Sequence, residues 1–134
     1  MRKLASFAVM FLLCGGMMFP QTEEEYHEWM QSVRSSVGSL RKSIEAKDQS
    51  ATSQHAKELQ EIFAKVRGFW EAKKVPDAVK FSTASEGSFE AVAKAASENN
   101  FESASAEMKQ AMANCAGCHN AHREKTESGF KIKY

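Results

Sequence analysis

At 134 residues, 43% of them hydrophobic and 26% charged, the chain has room for one domain built on one core. Its 18 Lys and Arg stand against 17 Asp and Glu, so no strong overall field points to nucleic acid or to an acidic substrate. Three cysteines are too few for a disulfide framework.

The chain opens with a short basic region, Arg2 and Lys3, followed by residues Leu4 to Phe19 that are apolar or small throughout. This is the pattern of an export signal. The run is short for a bilayer span, which needs about 20 residues. The only small residues near its end are Gly15 and Gly16, so retention as an N-terminal anchor is the alternative to cleavage. Cys14 follows Leu12 and Leu13 rather than a small residue, and reads as part of the signal core rather than as a lipid-attachment site. Losing Arg2 and Lys3 with residues 1–20 would leave 16 basic against 17 acidic residues. The expected location is outside the cytoplasmic membrane, in the periplasm.

Thr22 with Glu25 three residues on is a capping-box signature, and Glu23 and Glu24 suit the first turn of a helix. Tyr26, Met30, Val33, Val37, Leu40 and Ile44 then recur at spacings of four and three, with Trp29 alongside, which predicts a bundle-type helix to about Ala46. Lys47-Asp48-Gln49-Ser50 reads as a turn and a new cap. The second segment places Ala56, Leu59, Ile62, Phe63, Val66, Phe69 and Trp70 on one face and stops before Val75-Pro76. A third, starting at Pro76, carries Val79, Phe81, Phe89, Val92, Ala93 and Ala96 and ends at Asn99-Asn100. Its serines and Gly87 lower its propensity, so a break near Gly87 is expected. The fourth runs from Phe101 through Ala104, Met108, Met112 and Cys115 to His119 and beyond, with Glu102 in its first turn and Arg123 and Lys125 in its last. No segment alternates in the strand manner. The fold class is therefore all-α, an antiparallel up-down four-helix bundle.

Cys115-Ala116-Gly117-Cys118-His119 on the fourth helix is the C-x-x-C-H pattern of c-type haem attachment. The chemistry asks for two thiols that form thioethers with the porphyrin vinyl groups and an imidazole that ligates the iron. Positions i, i+3 and i+4 of a helix share a face, so Cys115, Cys118 and His119 point the same way. A structural zinc site normally needs four ligands, and the other candidates are His122, His27, His55 and Cys14, with no second paired cluster. A thioredoxin-like pair expects a strand before it, and nothing upstream of Cys115 reads as one.

Four amphipathic helices with this motif on the last resemble the class II c-type cytochromes, the cytochrome c′ and cytochrome c-556 family, over the stretch from Thr22 to Lys125. The resemblance implies one covalent haem c, Cys115 and Cys118 as its thioether residues, His119 as proximal ligand to the iron, and Arg123 near the haem edge. His122 stands where the family often has an aromatic residue. In c-556-like members a methionine of the first helix faces the other side of the iron, and in c′-like members an apolar residue does. Aligning Tyr26 to Met30 with that helix puts Met30 at the distal position. Met108 and Met112 share the fourth helix with His119, and none of the 15 residues after His119 is methionine.

The function so implied is a periplasmic electron carrier, not an enzyme, passing single electrons between redox partner proteins. The alternative, with iron left open on its distal side, is a five-coordinate protein that binds nitric oxide or carbon monoxide. Tyr26, Trp29 and Val33, with Val37, Phe63 and Trp70, are candidates for the pocket wall, each equally suited to ordinary bundle core. Ser35, Ser36 and Gly38 offer either close helix approach or a homodimer contact. Gly129 to Tyr134 is expected to be extended, with Phe130, Ile132 and Tyr134 on one side and Lys131 and Lys133 on the other, lying over the haem end or fraying.

Overall fold

In the computed structural model, which describes residues 21–134, each helix begins where a side chain or a proline satisfies its first turn. The export signal read at residues 1–20, Cys14 included, lies outside the described residues. Helix α1 (Glu23–Glu45) starts on a full capping box: the Glu25 N–H donates to the Thr22 hydroxyl at 3.2 Å, and the Thr22 N–H to the Glu25 carboxylate at 2.8 Å. Asp48 caps α2 (Gln49–Lys73) by accepting from the Ala51 N–H at 2.9 Å. Pro76 opens α3 (Pro76–Ser97), and Asn100 caps α4 (Phe101–His122) through the Ser103 N–H at 3.0 Å. The three connections are tight, and each turns on one left-handed residue, Lys47, Lys74 or Asn99.

The helices form a four-helix bundle with unequal seams. The α2–α3 and α3–α4 interfaces are extensive, α1 lies mainly on α2, and α1 and α4 barely touch. The core holds Leu40, Leu59, Phe69, Trp70, Phe89 and Val92, all at most 1% exposed, with Phe63 and Phe89 stacked at 5.5 Å between ring centroids. The buried side of α3 is made largely of alanines and serines, which keep its neighbours close. The buried Ser82 hydroxyl satisfies itself by donating to the Ala78 carbonyl at 2.7 Å. Helix α3 runs unbroken through Gly87, contrary to the break expected there, because packing on both α2 and α4 outweighs the propensity loss of about 1 kcal/mol per glycine.

A second correction concerns the C-terminus. Helix α4 ends at His122, and Arg123 is already extended, so Arg123 and Lys125 do not occupy a last helical turn. They lie instead on strand β1 (Arg123–Thr126), which pairs antiparallel with β2 (Gly129–Ile132) in a hairpin that matches Glu124 with Lys131 and Thr126 with Gly129. Gly129 has φ +146°, a backbone state open to glycine and to few others, and this residue lets the chain reverse. The cross-strand pair carries an ion pair, Lys131 Nζ to Glu124 at 3.3 Å. The extended tail read from Gly129 onward is thus one strand of a hairpin.

Helix α1 leans on one neighbour, so its own end chemistry matters to its stability. Thr22→Ala is expected to lower unfolding free energy by about 1 kcal/mol, read as a lower urea midpoint with an unchanged denaturant slope.

Candidate functional site

Where α1 and α4 fail to meet, a cavity of about 590 Å³ opens between them, within the range of roughly 300–1,000 Å³ usual for small-molecule and cofactor pockets. Its buried floor is formed by Tyr26, Val33, Phe63 and Val66 with Ser82 and Ser85. Cys115, Cys118 and His119 face it from α4, and Met30 and Val37 from α1. The i, i+3, i+4 spacing of the motif falls on the one face of α4 that borders this space.

Gly117, between the two cysteines, explains how α3 comes near. A Cβ built at this position would stand 2.5 Å from Cε1 of Phe81, closer than real Cβ contacts allow. The ring therefore rests on bare helix backbone, and Phe81 also lines the cavity. Behind the floor, Tyr26 packs its ring 4.7 Å from Phe69 and 5.6 Å from Trp70. Burial, with the neighbouring cysteines, raises the Tyr26 phenol well above its ordinary value. Trp70 carries the only buried side-chain polar atom without a hydrogen-bond partner among the described residues, its Nε1.

The protonation chemistry of the motif runs against thiol redox. Burial, with the adjacent Cys115 and Asp77, pushes the Cys118 thiol up to about 11. Burial also raises Cys115, partly offset by the nearby Ser85 hydroxyl. Thiol–disulfide catalysts depend on the opposite shift. Burial and the charge of Arg123 lower His119, which favours the neutral imidazole that metals require. Among the described residues no three His, Cys, Asp or Glu side chains are grouped to hold a bare metal ion. The lining does offer an imidazole from α4, His119, and a thioether from α1, Met30, donors that would suit an iron already held by a porphyrin. The residues present fit a haem.

The hairpin closes one side of the cavity. Arg123, Phe130, Lys131 and Ile132 line it, and the Arg123 guanidinium lies 4.2 Å from the centre of the Phe130 ring. His122 holds this end in place. It is buried, with Nε2 2.9 Å from the Asp77 carboxylate and Nδ1 3.0 Å from the Lys133 carbonyl, and both partners are acceptors. The Tyr134 hydroxyl donates to Glu23 at the start of α1, and Lys73 sits over the rings of Phe69 and Tyr134.

Of the residues singled out from sequence, the structure brings Cys115, Cys118, His119, Met30, Tyr26, Val33 and Arg123 to one cavity. Trp29 is half-buried against the core, its ring 6.5 Å from Tyr26, and does not line the cavity. His27 lines it from the exposed side of α1, whereas His55 pairs with Glu58 on α2. A Cβ at Gly38 would meet nothing within 4 Å, so close packing inside this chain does not require that glycine. Phe81, Met112 and Arg34 line the cavity without being expected there from sequence, and Phe130 to Ile132 take the first of the two expectations for the tail, lying over this end rather than fraying. Alternation of apolar and basic residues from Phe130 to Lys133 marks the second strand of the hairpin, and no comparable signal marks the first. Comparison with family models, curated proteins and solved structures finds no match to this chain.

Gly117→Ala tests the contact with Phe81. The gain in helix propensity, about 1 kcal/mol, is outweighed by overpacking of about 1–3 kcal/mol, so a net loss of about 1 kcal/mol is expected in denaturant titration. Gly117→Ala combined with Phe81→Leu is expected to recover part of it.

The His122 clasp gives a pH dependence. Slight burial works to raise the Asp77 carboxyl, but the hydrogen bond and charge of His122, with backbone amides, hold it below its ordinary value. A depressed folded-state value means that the stabilisation is present above the ordinary carboxylate range and is lost as pH falls through the folded value. Urea midpoints measured from pH 6 to pH 3 are expected to fall less steeply in Asp77→Asn than in the parent chain.

Proposed function

We propose that this chain is a mono-haem c-type cytochrome of the class II kind, carrying single electrons between redox partner proteins after export to the periplasm. The observation that carries this reading is the convergence of Cys115, Cys118 and His119 from α4 with Met30 from α1 on one apolar cavity. Cys115 and Cys118 would hold the haem c covalently, His119 would ligate the iron from α4, and Met30 would ligate it from α1. The bound haem supplies a one-electron couple.

The rest of the chain prepares the setting. Burial keeps His119 neutral and therefore able to bind a metal. The apolar floor of Val33, Phe63 and Val66 excludes water, and ligation by Met30 together with His119 would favour a raised potential. Held by both His119 and Met30, the group would supply its one-electron couple with little rearrangement of the chain. No arrangement for substrate turnover is invoked, and the partners are other redox proteins. Among the described residues no helix is long and apolar enough to cross a membrane.

The test is an optical absorption spectrum of protein produced with a c-type maturation system, oxidised, reduced and then exposed to carbon monoxide. The expected result is a covalently bound haem with a low-spin spectrum, a methionine charge-transfer band in the red that Met30→Ala abolishes, and no response to carbon monoxide in the parent. A high-spin spectrum that shifts at once with carbon monoxide would remove Met30 as ligand and make the protein a gas binder. Absence of covalent haem would overturn the proposal.

A further inference from the structure

The cavity has a polarity gradient that the axial ligands do not account for. Its buried floor is apolar, while exposed residues, His27, Gln31, Arg34, Arg123 and Lys131, stand at its edge. No Asp or Glu lines it, although the whole chain is balanced at 18 basic to 17 acidic residues. A local excess of three fixed cations around an apolar space is therefore a property of this site rather than of the composition.

The three cations are not equally committed. Arg123 lies against the Phe130 ring, and Lys131 is paired with Glu124 at 3.3 Å, an exposed and exchangeable contact. Arg34 has no ion-pair or hydrogen-bond partner among the described residues. It follows Met30 by four positions, which puts both on one face of α1. An arginine side chain is suited to gripping a carboxylate through two parallel hydrogen bonds.

We infer that the mouth of this cavity is an acid-binding rim, with Arg34 on α1 and Lys131 on the hairpin holding the two carboxylates of a ligand whose apolar body fills the interior. Resting on the haem reading above, this assigns the two residues to the propionate groups of the porphyrin. It also gives the hairpin a binding role, since β2 delivers the second cation. Glu124 competes with the ligand for Lys131.

The experiment uses the full chain with Cys115 and Cys118 as free thiols and two iron-free probes, protoporphyrin IX and its dimethyl ester, titrated by fluorescence. The diacid is expected to bind more tightly than the diester, and more weakly as salt is raised. Arg34→Gln and Lys131→Gln are each expected to weaken the diacid about two- to fivefold, the range of an exposed ion pair, and to leave the diester unchanged. Arg34→Lys should recover part of the loss, and Glu124→Gln should tighten diacid binding. Circular dichroism melting checks that each variant is folded. Equal affinity for diacid and diester in the parent, or variants that affect both alike, would overturn the rim assignment while leaving the haem reading standing. Failure of both porphyrins to bind would overturn the rim assignment, while the haem reading would still be decided by the covalent-haem spectrum above.

Discussion

The candidate site depends on one asymmetry of packing: α3 packs closely on both α2 and α4, while α1, which lies on α2, does not close the ring onto α4. Alanines and serines on α3 let α2 and α4 approach it closely. Helix α1 is drawn to α2 by Tyr26, whose ring meets Phe69 and Trp70, and by Leu40 and Ile44 farther along. Nothing comparable joins α1 to α4. Apolar side chains that would otherwise close that seam line a cavity instead, and the motif cysteines and histidine face it. Leaving such surface uncovered runs against the hydrophobic drive to bury it, at about 25 cal/mol per Å². A large apolar occupant, such as the haem proposed above, would restore that burial.

The helices were legible because their signals are local and repeated. Apolar spacing of three and four marked each segment, and Thr22, Asp48, Pro76 and Asn100 stand at the helix starts. The attachment motif was legible for the same reason, since five adjacent residues carry it. Met30 could be placed only by likeness to a family, and it does reach the same cavity. What the sequence hid is the sort of contact that depends on three-dimensional approach. Phe81 looks like any apolar position of α3, and only its register against Gly117 brings it to the site.

The hairpin was hidden for a different reason. Arg123, Glu124 and Lys125 are acceptable in a helix, and a four-residue strand offers too short an alternation to outweigh them. Docking of the far end decides the matter: His122 takes the Lys133 carbonyl and Tyr134 reaches Glu23, contacts that a continued helix could not make. Arg34 was overlooked because a charged residue on an exposed helix face is ordinarily just solvated surface. Its meaning comes from the lack of any Asp or Glu among the residues that line the cavity, which is a property of the assembled site.

The contact between Gly117 and Phe81 has a consequence for how such a chain can vary. The two middle residues of a C-x-x-C-H motif take no part in attaching or ligating anything, and would be expected to drift freely. Here the first, Ala116, is exposed and free to do so, but the second is not. A larger residue at 117 presses on the ring at 81, thirty-six positions earlier, which must move or shrink to admit it, so variation at one site is felt at the other. A binding motif that looks self-contained along the chain thus owes one of its letters to a neighbouring helix.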